Sequence, residues 1–141
     1  MTTTAARFFL LFALALSTGC NGPVAWFPGG ALRGPVAIDD AAGLMARWNV
    51  EATEVETLEL ETQPENPYSV RVGFTLKNGQ VYIDPAEDRR WYQHLLTDPS
   101  VRVRFSTAVY PARAVEVRNA TELEGFDPTR HVYRLEITQK P

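Results

Sequence analysis

Arg89 and Arg90, followed at once by Trp91, are the residues of this chain best suited to hold an anion beside an aromatic surface. Guanidinium groups match phosphate oxygens through parallel hydrogen bonds, and an indole offers a face on which a planar ring can stack. The three lie in VYIDPAEDRRWYQHLLTDPSVRVRF, residues 81–105, which reads as strand, sharp turn, short helix, sharp turn and strand. A helix beginning near the arginines would add unpaired backbone donors and the positive end of its dipole, both attractive to a phosphate. Arg71, on the polar face of an earlier strand, completes the candidate set.

The same tract carries an opposing reading. Asp84-Pro85-Ala86-Glu87 has the pattern of a helix start, with Asp at the cap, Pro at the first helical position and Glu at the third. Those carboxylates would take the donors that a phosphate needs, and Asp88 adds another negative charge. Glu59 and Glu61 on the preceding strand and Glu65 in the loop QPENP extend it. At an effective dielectric of about 20, like charges roughly 4 to 6 Å apart cost a few kcal/mol, enough to cancel a phosphate–arginine contact. The charges therefore favour a solvated helix face on which Glu87 pairs with Arg90 three residues on.

Other reactive groups are sparse. His94 and His131 are the only histidines, lack a His-x-x-x-His spacing and are expected on the surface. No Gly-x-Ser-x-Gly motif marks an acyl-transfer nucleophile. Trp91, Tyr92 and Leu95 recur at helical spacing and form the expected buried face of the short helix.

Cys20 is the single cysteine, which excludes an internal disulfide and a thiolate metal site. It follows Arg7, an apolar run from Phe8 to Leu16 and the small residues Ser17, Thr18 and Gly19, the pattern of a secretory signal. The run is far shorter than the ~20 residues of a membrane-crossing helix. LSTGC resembles the lipobox of bacterial lipoprotein precursors, which implies lipidation of Cys20 and attachment to a membrane. Asn21 in the next position implies the outer membrane, with the domain facing the periplasm. The formal net charge of −3 makes nucleic acid an unsuitable partner.

The elements that must position these groups follow from periodicity. NGPVAWFPGGALRGP, residues 21–35, is rich in glycine and proline and reads as a tether ending in an ordered lead-in. Asp39 and Asp40 ahead of AAGLMARW predict a short helix. Beyond Thr53 the period changes to two. Leu58 and Leu60 oppose Thr57, Glu59 and Glu61; Val70, Val72, Phe74 and Leu76 oppose Ser69, Arg71, Gly73 and Thr75, predicting half-buried strands. Asn78-Gly79 between alternating segments predicts a hairpin. Val101, Val103 and Phe105, then VYPARAVEV, then Tyr133, Leu135 and Ile137 mark later strands, with Pro111 expected at an edge or bulge. Many antiparallel strands with few helices predict a closed or partly open barrel.

ETQPENPYSVRVGF, NGQVYI, DRRWYQHLLTDPSVRV and AVYPARAVEV, in this order from about Trp26 to Glu136, resemble the split β-barrel superfamily of pyridoxamine phosphate oxidase-like and deazaflavin-dependent nitroreductase-like proteins. The resemblance implies a mainly β, α+β fold: an antiparallel split β-barrel with one or two short helices over residues 36–141. A signal at 1–19 and a lipidated tether at 20–35 would precede it. It also implies an FMN or deazaflavin groove, a homodimer, and a phosphate grip at Arg89 and Arg90 with Trp91 on an aromatic position of the deazaflavin branch. QPENP replaces the basic, glycine-rich loop of active members. The expectation is a lipid-anchored envelope protein with a binding or structural role and a degraded cofactor site. The alternative is a flavin-type oxidoreductase passing hydride to a small hydrophobic acceptor, with the Tyr68–Phe74 backbone against the ring.

Overall fold

The computed structural model describes residues 22–25 and 27–138; the leader and Cys20 lie outside these residues. Along the chain come α1 (Ala41–Thr53), β1 (Thr57–Thr62), β2 (Tyr68–Gly73), β3 (Thr75–Lys77), β4 (Gln80–Ile83), α2 (Arg90–Thr97), β5 (Ser100–Arg104), β6 (Val109–Glu116), α3 (Ala120–Leu123) and β7 (Tyr133–Ile137). The strands form one antiparallel sheet in the order β2-β1-β5-β6-β7-β4-β3. β2 and β3 sit at opposite margins of that order, yet Phe74 alone separates them in sequence. The margins must therefore lie side by side, so the sheet curls into a half-barrel. The sequence reads 68–76 as one strand; the structure divides it at Gly73-Phe74, where the chain leaves one neighbour and takes up another.

α1 packs its buried face into the core of the barrel. The Asp40 carboxylate caps its first turn by accepting from the Gly43 N–H at 2.7 Å, which satisfies one of the orphan donors of a helix start. Leu44, Trp48 and Ala52 recur at intervals of four and are buried. Trp48 meets the rings of Phe105 and Tyr110 edge-on, with centroids 4.8 and 5.3 Å away. Such contacts add to the apolar burial of a large ring. The β3–β4 hairpin turns through Asn78 and Gly79, both at positive φ (53° and 72°), the conformation that a two-residue hairpin demands.

Two expectations about the strands need correction. β1 does not alternate between core and solvent: Glu61 and Thr62 are buried together with Leu58 and Leu60. The ordered lead-in buries Glu61, because it lies across the outer side of the sheet, whereas Thr62 shares the inner face of Leu58 and Leu60 and meets His94. Gly29 and Ser69 exchange backbone bonds at 2.8 and 2.9 Å, Leu32 is buried with its N–H donating to Glu61, and Ala37 donates to Val109. Buried carboxylates need partners, and Glu61 receives two bonds from Arg102 at 3.1 and 3.2 Å. Pro111, for its part, sits in central strand β6 and not at an edge. Its carbonyl accepts from Thr138, so its nitrogen faces the position just past the end of β7, where no ladder donor is needed.

Candidate functional site

The β3–β4 ladder pairs Thr75 with Tyr82 and then stops. Continued at the same register it would pair Gly73 with Asp84, Val72 with Pro85 and Arg71 with Ala86. Instead the two arms part, and all six of these residues line a cleft of about 610 Å³. That size suits a small-molecule ligand. β2 is a sheet margin here. Because Ser69 bonds outward to Gly29, the alternation of an antiparallel strand turns the N–H and C=O of Arg71 and Gly73 outward as well, into the cleft.

The second arm runs from Asp84 into α2, and it does not begin with the expected cap. α2 starts at Arg90; its N-cap residue is Arg89, with no side-chain cap bond and no acidic residue in the first turn. Pro85 disfavours a helical conformation for Asp84. Arg130 then fixes Asp84, donating to its carbonyl from Nε at 3.2 Å and from a terminal nitrogen. The chain next turns, with Arg89 N–H donating to Ala86 C=O at 3.1 Å, before helical bonding begins. The positive end of α2 thus has no carboxylate countering it from within its own first turn.

Of the carboxylates expected to repel a phosphate, Asp84 and Asp88 line the cleft and Glu59, Glu61, Glu65 and Glu87 do not. Glu59 accepts from Arg104 at 2.6 Å and from Arg71 at 3.2 Å, and Glu61 is held by Arg102. Glu87 pairs with His131 at 3.3 Å and not with Arg90. None of Gln63, Pro64, Glu65, Asn66 and Pro67 lines the cleft. The lining carries four arginines, Arg71, Arg89, Arg90 and Arg130, against Asp84 and Asp88. Asp84 lies 3.8 Å from Arg130 and Asp88 3.8 Å from Arg89. Arg90 makes no ion pair among the described residues; its guanidinium lies over the Tyr68 ring, 4.9 Å from the centroid, a cation–π contact.

The structure thus brings Arg71, Arg89, Arg90 and Trp91 to one cleft and adds the Tyr68 ring and Arg130, which sequence reading did not select. Arg130 lies 46 positions from the Asp84 carbonyl it binds, and no local spacing reports such a contact. Trp91, Tyr92 and Leu95 are buried as expected. His94, expected at the surface, is buried beneath Tyr68 (centroids 5.2 Å) with Nδ1 2.8 Å from the Thr62 hydroxyl. That hydroxyl also reaches the Tyr68 carbonyl at 3.2 Å. With a single proton to donate, it satisfies both contacts when His94 Nδ1–H is the donor to it. Burial first, and the nearby Arg90 charge second, hold the imidazole below its ordinary pKa. His131 is half-buried between Glu116 and Glu87 and stacks on Tyr92.

The curled antiparallel half-barrel is a split β-barrel fold, the fold of solved structures that include a putative pyridoxamine 5′-phosphate oxidase and an FAD-binding protein. Solved structures agree. A putative pyridoxamine 5′-phosphate oxidase from Listeria innocua matches with a TM-score of 0.56 and 14% identity, over 68% of this chain and 94% of that one. ChuZ of Campylobacter jejuni gives 0.51 and 13%, over 72% of this chain and 55% of that one. An FAD-binding protein of Mycobacterium smegmatis gives 0.50 and 17%, over 73% and 93%. No protein-family profile and no curated protein sequence matches the chain. At these identities the likeness establishes the fold alone.

Proposed function

We propose that the protein is a binding split barrel whose cleft takes a phosphorylated, planar ligand of the FMN or deazaflavin class. The carrying observation is the uncapped start of α2, with Arg89 and Arg90 beside it, opening onto a cleft of ligand size. Arg89, Arg90 and the first turn of α2 would hold the phosphate. Trp91, Tyr68 and the outward amides of Arg71 and Gly73 would border the ring. The FAD-binding protein of the same fold supports this assignment. A bound flavin would supply hydride-transfer chemistry; the residues of this chain bind and orient it. Titration with FMN at low salt tests the reading. Wild-type protein should bind on the order of micromolar, and replacing both Arg89 and Arg90 by glutamine should weaken binding at least tenfold, about 1.4 kcal/mol. Wild-type protein that leaves FMN fluorescence and mobility unchanged would sink it.

We propose further that Cys20 is lipidated and holds the domain at the bacterial cell envelope, on the motif LSTGC behind a secretory signal. Cys20→Ala should leave an uncleaved precursor or move the protein to the soluble fraction. Normal processing and unchanged membrane fractionation of that variant would count against the anchor.

A further inference from the structure

One wall of the cleft is built by the segment that leads in from Cys20. Val24 and Phe27 exchange backbone bonds at 3.1 and 2.9 Å, making a tight turn in which Ala25 has φ 52°. The base of this loop is fixed. Gly29 pairs with Ser69 at the margin of β2, and a Cβ on Gly29 would come within 2.3 Å of the Gly22 backbone. Only glycine permits that approach. Beyond that base, Phe27 and Val24 stand 74% and 53% exposed. Behind them the same cleft lining carries Arg71, Arg89, Arg90 and Arg130 against Asp84 and Asp88, a local excess of positive charge on a chain that is net negative as a whole. Exposed apolar side chains beside an excess of cations, on a net-negative molecule, are the composition of a surface that meets an anionic lipid bilayer.

We propose that the rim of this cleft, with Phe27 and Val24 leading and the arginines behind, docks onto an anionic lipid bilayer, so that the cleft opens at the membrane surface. The inference rests on the anchor reading for one of its supports. Cys20 precedes Val24 by four residues, so an anchored Cys20 keeps Val24 within about 14 Å of the bilayer. Charge complementarity and the exposed ring support the orientation independently. Among the described residues no helix is long and apolar enough to cross a membrane, so the contact lies at the interface.

The test places a nitroxide label on the full chain at Phe27→Cys, and in separate preparations at Ile38→Cys and Val50→Cys, each in a Cys20→Ser background. Ile38 and Val50 are exposed residues outside this cleft. The proteins are mixed with phosphatidylcholine vesicles containing or lacking phosphatidylglycerol. With phosphatidylglycerol, the label at 27 should become at least fivefold less accessible to a water-soluble relaxant than the labels at 38 and 50. Arg89→Gln with Arg90→Gln should remove at least half of that difference. Equal accessibility of all three labels in both vesicle types would overturn the proposal, and protection that ignores both phosphatidylglycerol and the arginines would overturn its electrostatic basis. FMN titration of the unlabelled chain without vesicles is independent. Failure there with label 27 protected sinks the ligand reading alone, and the reverse result sinks the docking surface alone.

Discussion

Arg90, Tyr68 and His94 form a column of contacts: the guanidinium lies over the phenol ring, and that ring meets the buried imidazole edge-on. Its lower member is kept neutral by burial and by the charge above it. A histidine whose folded pKa is depressed favours the folded state fully above its unfolded value of about 6.5, and that stability is lost as pH falls through the folded value. In a proton NMR titration, the midpoint of the His94 ring signals should therefore lie below the ordinary value of about 6.5. An ordinary titration of His94 would mean that the column does not exist in solution. Arg90→Gln should bring the His94 midpoint back toward 6.5 by removing the second of the two causes. Neither member was legible as part of a site. Tyr68 and His94 lie 26 positions apart, and a lone histidine on an amphipathic helix gives no sign of what covers it. Arg89, Arg90 and Trp91 were legible because arginine pairs and aromatics are unusual beside a helix start.

At the scale of elements, α2 shows a conflict between stability and binding. Its cap position holds Arg89, which makes no side-chain cap bond and contributes a positive charge at the positive end of the dipole. Arg89→Asp should cap the helix and raise stability by about 0.5 to 2 kcal/mol in urea unfolding, while weakening FMN binding at least tenfold. A variant that is no more stable than wild type would show that the first turn is already satisfied by another group. The period-two strands, the Asn78-Gly79 turn and the α1 start were readable because their causes are local: alternation, left-handed backbone and an aspartate cap. The true start of α2 was not. Asp84-Pro85-Ala86-Glu87 mimics a cap in sequence, and only the distant Arg130 and His131 pull those residues into another path. β1 misled for the same reason, since Glu61 is covered by a lead-in some 30 residues earlier in the chain.

At the scale of the molecule, the parting of the β3–β4 hairpin makes the sheet and the site competitors for the same backbone. Every further pair zipped beyond Thr75 and Tyr82 would remove about 3.4 Å of cleft and turn ligand-facing amides into ladder bonds. Pro85 ends β4 on its other side and so stops the strand from which Asp84 would pair with Gly73. The ladder between β4 and β7 closes at Ile83 and Tyr133, and two residues on, where Pro85 would meet His131, the ring supplies no N–H to continue it. Pro85→Val restores that donor. Native-state hydrogen exchange should then show new protection at the amides of Gly73 and residue 85, together with weaker FMN binding; unaltered exchange at Gly73 would assign the opening to Arg130 instead. The capacity of such a barrel is thus metered in residue steps by where a hairpin stops, so a single substitution could lengthen or shut its binding site without repacking the core.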